Sequence, residues 1–215
     1  MSWLEPVDLY CERTDPSFWA EPINAFTNGA FLIAAALAFV LWRRRGDRDP
    51  ATLCLIVVTA LIGIGSFAFH TLATRGAVLL DVIPIALFVY GYLFLALRRF
   101  LNLQRLATVG ILLAFIVASE GLSVVLPRDF LNGSVDYLPP LAALITVGIM
   151  TGANRVGSSI LLATVIFLVS LVFRTIDRAV CEGFPIGTHF IWHLLNAGVL
   201  YILLRTAIFV AKESS

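Results

Sequence analysis

The chain has 215 residues, of which 60% are hydrophobic and 13% charged, with a formal net charge of +1 and a mean hydropathy of +0.93. Such a composition excludes an ordinary soluble domain, and the near-neutral balance gives no electrostatic footprint for nucleic acid. An integral membrane protein remains, with helices as the expected form, because lipid offers no partner to unpaired backbone groups and no alternating barrel pattern is visible.

Residues 1–22 read as an extracytoplasmic headpiece. Its opening, MSWLEPVDLYCERTDPSFWA, carries acidic residues early and lacks the apolar core of a cleaved signal peptide, so it is expected on the mature protein. Apolar runs near the roughly 20 residues that cross a bilayer follow, at about 24–42, 51–70, 78–97, 106–126, 137–153, 157–174 and 188–210. The fourth carries Glu120 within its apolar run, and the fifth is short and opened by Pro139 and Pro140. With no long linker, low-complexity segment or repeat, the expectation is an all-α fold: one polytopic seven-transmembrane-helix domain over 1–215, its bundle at 23–211.

Basic residues set the expected orientation. The loop after the first span reads RRRGDRD and that after the third reads RRFLNLQR; Arg155, Arg205 and Lys212 fall on the same side, ten basic residues in all. The opposite side holds five: Arg13, Arg75, Arg128, Arg174 and Arg178. The positive-inside rule therefore predicts the N-terminus outside and the C-terminus in the cytoplasm.

Five polar residues gather in the outer half. Ser66 and His70 close the second span in GIGSFAFH, Asp81 opens the third in LLDVIPI, and His189 and His193 open the seventh in HFIWHLLNAG. Taken singly, each is an ordinary hydrogen-bonding residue at a helix end. Together they use every histidine of the chain in one layer, where ionisable groups are costly and usually functional. Residues four apart share a helix face, so His189 and His193 can serve one metal, and Ser66 and His70 repeat that spacing. Three neutral imidazoles suit zinc with a fourth position for water, and Asp81 supplies a carboxylate that can move a proton.

On GSFAFH with LLD, IDRAVC, HFIWHLLNAG, YCER and FWAEPINAFTN, the chain resembles the alkaline ceramidases and their bacterial relatives. These belong to the wider superfamily that includes the progestin and adiponectin receptors. The resemblance implies a seven-helix intramembrane zinc amidase that cleaves ceramide, or a related N-acyl lipid, to a fatty acid and a sphingoid base. It implies His70, His189 and His193 as zinc ligands, Asp81 as proton shuttle and Ser66 at the oxyanion. It implies as partners the lipid substrate and the bilayer, and as location a bacterial cytoplasmic membrane, with the site toward the outer face by the arginine count.

Eukaryotic members also bind calcium near the N-terminus, which nominates Glu12 and Glu21, with Asp8 and Asp15 standing beside positions where Leu9 and Thr14 depart from the pattern. A solvated acidic headpiece with caps such as Asn24 is the alternative. Cys11 and Cys181 both fall outside by the predicted topology, and the family block places a cysteine after Ile176 and Asp177, so a disulfide is expected between them; two free thiols are the alternative. Asn196, on the face of His193, is a candidate donor behind the ligands. Asp177 is either part of the site or a partner of Arg174 or Arg178, and Glu120 either lines the substrate cavity or pairs with an arginine such as Arg128. Two other functions use the same histidines, a haem-binding membrane cytochrome and a receptor-like or transport protein with a structural metal. Neither needs Ser66 or Asp81.

Overall fold

The computed structural model describes residues 2–46, 49–127 and 130–213. Arg48 and Arg128, used above for orientation and pairing, lie outside the described residues, as does the side chain of Lys212. The helices are α1 (Pro22–Thr27), α2 (Gly29–Arg44), α3 (Pro50–Leu72), α4 (Arg75–Arg99), α5 (Arg105–Val125), α6 (Leu138–Thr151), α7 (Arg155–Ile176) and α8 (His189–Glu213). They supply seven segments long and apolar enough to cross a membrane, α1 and α2 together forming the first. No strand occurs among the described residues.

Helix starts follow local chemistry. Proline occupies the first turn of α1, α3 and α6, where a missing N–H costs nothing. Asp49 accepts the N–H groups of Ala51 and Thr52 at the start of α3, Thr74 that of Ala77 in α4, and Asn154 those of Val156 and Gly157 in α7. Asp49 also takes Arg99 of α4 in a two-point contact at 2.6 Å and 2.6 Å, pinning the arginine-rich end of that pair. Burial would raise the Asp49 carboxyl, but Arg99 and Thr52 outweigh it and hold the group down at about 2.

The fifth crossing begins earlier than its sequence pattern suggests. A tight turn over Phe130–Tyr137 precedes α6, with Leu131, Asn132 and Gly133 at φ of 54°, 52° and 70°, and the apolar segment runs Phe130–Thr151. Left-handed backbone at successive residues carries no hydrophobic periodicity, which is why the turn is invisible to hydropathy.

Burial ranks the helices. The most apolar windows of α3 and of α8 are 56% and 50% buried, against 6% for α5, so the two histidine-bearing helices are central and α5 faces lipid. Packing of α3 on α4 is unusually close at one point. Pro84 has no N–H to give the Leu80 carbonyl one turn back, and that carbonyl lies where a side chain on Gly65 would begin. The approach places Ser66 of α3 beside Asp81 of α4.

The headpiece folds over this end of the bundle. Val7 donates its N–H to the Ala73 carbonyl (2.8 Å), while Arg75 and Gly76 donate to Glu5 and Trp3 (3.0 and 2.9 Å), laying the first residues across the α3–α4 turn.

Candidate active site

His189 and His193 stand one turn apart at the start of α8. That start is held by Asp177, whose carboxylate accepts the N–H of Thr188 (2.6 Å), of His189 (2.9 Å) and of Cys11 (3.0 Å). A negative group on the first amides of a helix satisfies donors that have no intrahelical acceptor. Gly187, at φ +63°, lets the chain turn there, since any side chain would collide with Asp177 and Cys11. Asp177 is therefore bound to backbone rather than to Arg174 or Arg178.

His70, in the last turn of α3, faces this pair. One ring nitrogen from each of the three buried histidines falls within 4.8 Å of the others. Each ring is steadied from outside the cluster. Glu21 Oε2 lies 2.6 Å from His70 Nδ1, Thr27 Oγ1 lies 2.9 Å from His193 Nδ1, and the Tyr10 ring stacks on His189 at 3.6 Å.

Tautomers follow by inference from these partners. An ionised Glu21 only accepts, so His70 Nδ1 donates and Nε2 keeps its lone pair. The single Thr27 hydroxyl proton goes to the Ile23 or Asn24 carbonyl, at 2.8 and 3.0 Å, so His193 Nδ1 also donates and its Nε2 is free to ligate. His70 Nε2 and His189 Nδ1 are buried without a hydrogen-bond partner, the condition expected of ligand atoms rather than of packed core histidines. The donor set fits a metal ion such as zinc.

Ser66 stands beside the Asp81 carboxylate, whose Oδ1 is buried without a partner. Asp81 opens onto a cavity of about 730 Å³ whose wall also includes Tyr10, Glu120, Tyr137 and Arg174. Ile85, Val89, Tyr137 and Pro140 line both this cavity and a narrower apolar slot of about 100 Å³ that runs inward beside Trp192. Asn196 lines the slot and donates to Ser170 Oγ (3.1 Å) and the Trp192 carbonyl (2.8 Å), so it turns away from the histidines.

The headpiece carboxylates do not fit a calcium ion. Glu12 caps α1, accepting the N–H groups of Ile23 and Asn24 at 2.7 and 2.8 Å; burial raises its carboxyl against those bonds. Asp15 takes Ser17 N–H at 2.7 Å, the bonds from Ser17 lowering its carboxyl, and Asp8 is exposed. A cation already stands among the buried oxygens. Arg13 donates to Glu21 Oε1 (2.6 Å) and to the carbonyls of His70 (2.9 Å), Asp15 (3.1 Å) and Ser17 (3.3 Å). Burial pushes the Glu21 carboxyl up, yet His70 and Arg13 outweigh it and hold the group below its ordinary value.

Cys11 and Cys181 lie at disulfide distance, with Cα atoms 5.3 Å apart, tying the headpiece to the loop before α8. Tyr10, Arg13 and Thr27, and Glu21 as the partner of His70, lie outside the site residues that the sequence nominates. Their only signal was membership of the blocks YCER and FWAEPINAFTN.

The family model described as Ceramidase matches residues 10–215. No curated protein matches the chain.

Proposed function

We propose a reaction for this chain, which belongs to the ceramidase family of amide hydrolases: zinc-assisted cleavage of ceramide, or a related N-acyl lipid, within the membrane. The observation that carries the metal is the convergence of His70, His189 and His193 with two ring nitrogens buried and unpartnered. When bound there, zinc supplies Lewis-acid polarisation of the amide carbonyl and a water acidic enough to react near neutral pH.

The chain's own groups handle the protons. The unpartnered Asp81 Oδ1 accepts a proton from the attacking water as its oxygen bonds to the acyl carbon, and returns it to nitrogen as the C–N bond breaks. Ser66 positions that carboxylate; once Asp81 is protonated, the Ser66 hydroxyl is released to donate to the developing oxyanion. The products are a fatty acid and an amine. The apolar slot beside Trp192 suits an alkyl chain.

The haem alternative fits less well. Ring centres of the three histidines lie 4.5, 4.9 and 5.3 Å apart, too close to hold a porphyrin between any two. The arginine asymmetry supports placing the site toward the outer face of a bacterial cytoplasmic membrane.

A lipid-hydrolysis screen on purified protein, with and without a zinc chelator, tests this reading by mass spectrometry of released fatty acid. Chelator-sensitive release supports it. Release that survives complete removal of metal would sink the zinc mechanism, and a Soret band in the purified protein would revive the cytochrome.

A further inference from the structure

Arg174, in the last turn of α7, stands in the wall of the outer cavity. Its Nη1 donates to the Asn132 carbonyl at 2.8 Å and to Ser134 Oγ at 3.1 Å, and Tyr10 and Tyr137 stand beside it in the cavity wall. The guanidinium carbon lies 5.0 Å from the centre of the Tyr137 ring and 5.7 Å from that of Trp192. Each of these groups is neutral, and the Asp81 carboxylate acts on Arg174 only from beyond ion-pair distance.

Two other arginines of this end meet carboxylates, Arg13 with Glu21 and Arg75 with Glu5, while Arg178, also in the cavity wall, is exposed. Among the described residues no carboxylate comes within ion-pair distance of Arg174, and its Nε is buried without a partner. A half-buried guanidinium at membrane depth is stabilised when an anion meets it. The turn carrying Asn132 and Ser134 and the two aromatic rings hold it in place before any ligand arrives, which lowers the ordering cost of binding. Asp81 opens onto the same cavity, so a substituent close to the scissile amide reaches Arg174 while an alkyl chain fills the inner slot.

We propose that Arg174 receives a carboxylate on the amine side of the substrate, making the preferred substrates N-acyl amino acid lipids rather than neutral ceramides. This rests on the amidase reading above. Arginine and carboxylate match in a fixed, two-point geometry, so the anion selects by orientation as well as by charge.

The probes are N-palmitoylglycine, its methyl ester and palmitate, measured by equilibrium binding to purified protein in an uncharged detergent, followed by hydrolysis of the first two and of a C16 ceramide. The acid is expected to bind roughly 10- to 100-fold more tightly than the ester. Arg174→Gln should bring that ratio toward one, and Arg174→Lys should keep part of it. Equal binding of acid and ester by the native protein overturns the proposal, as does an Arg174→Gln variant that weakens both equally. An arginine dependence confined to palmitate also overturns it, because the anion recognised would then be the product's. Ceramide hydrolysis with no acid preference would leave the amidase standing without this selectivity. Acid preference with no fatty acid released from any lipid would do the reverse.

Discussion

Glu21 holds His70 Nδ1 with one carboxylate oxygen and Arg13 with the other, so its removal should reach the metal through His70. Glu21→Gln preserves the volume but loses the charge, and zinc affinity is expected to fall about 10- to 100-fold by competition with a chromogenic chelator. His70→Ala, His189→Ala and His193→Ala should each lose bound zinc and hydrolysis together, because each removes one of three ligands. Asp81→Asn should retain zinc and lose most turnover; retained turnover there would contradict its role in proton transfer. Calcium offers a separate check. With Arg13 already among the oxygens, millimolar calcium added to protein in calcium-free, zinc-containing buffer should leave the thermal midpoint of the native chain unchanged; a rise of several degrees would show that a calcium site exists. At this scale the sequence disclosed the residues whose spacing repeats along a helix, His189 with His193 and Ser66 with His70. It hid Tyr10, Arg13 and Thr27, because their contacts depend on how an irregular headpiece folds back over helices distant in sequence.

The α3–α4 pair brings Asp81 to Ser66, and the point of closest approach is Gly65 against the Leu80 carbonyl. Gly65→Ala should push the helices apart, costing about 1–3 kcal/mol as overpacking and lowering turnover by displacing Asp81. Gly110→Ala in α5, where nothing lies within 4 Å, is the matched control and should be neutral or slightly stabilising. Thermal unfolding and initial rates of the two variants decide it, and equal behaviour would refute the packing argument. At the opposite end of the pair, Asp49→Ala removes both the cap of α3 and the Arg99 contact, for an expected loss of about 1 kcal/mol from the cap alone. The sign with pH is fixed by the direction of the shift. Because the folded carboxyl is depressed to about 2, its contribution is complete above the unfolded value and disappears as pH falls through about 2. Hydropathy disclosed all seven crossings, since lipid imposes both length and composition, though it started the fifth seven residues late and ended the sixth six residues early. It missed the turn at Phe130–Tyr137 and the use of Pro84, which are matters of backbone geometry and not of composition.

Across the whole molecule, the headpiece and α8 belong to opposite ends of the chain yet form one site, and the Cys11–Cys181 link spans 170 residues of sequence to join them. By the orientation expected from the arginines, both would lie on the oxidising side, while Cys54, the free cysteine near the start of α3, would lie on the reducing side. A reporter fused after Ser215 should then read cytoplasmic and one before Trp3 external. The link does more than close a loop. Cys11 adjoins Tyr10, which stacks on His189, and its N–H binds Asp177, which holds the start of α8. Reduction, or Cys181→Ala, should therefore lower stability by roughly 2–5 kcal/mol and also loosen the ring stacked on the metal ligand. The second effect distinguishes this bridge from a purely mechanical staple. Zinc dissociation should speed up on reduction even at temperatures where the helices remain intact by circular dichroism. Unchanged zinc release after reduction, verified by alkylated peptides of both cysteines, would confine the bridge to stability and separate the headpiece from the metal site.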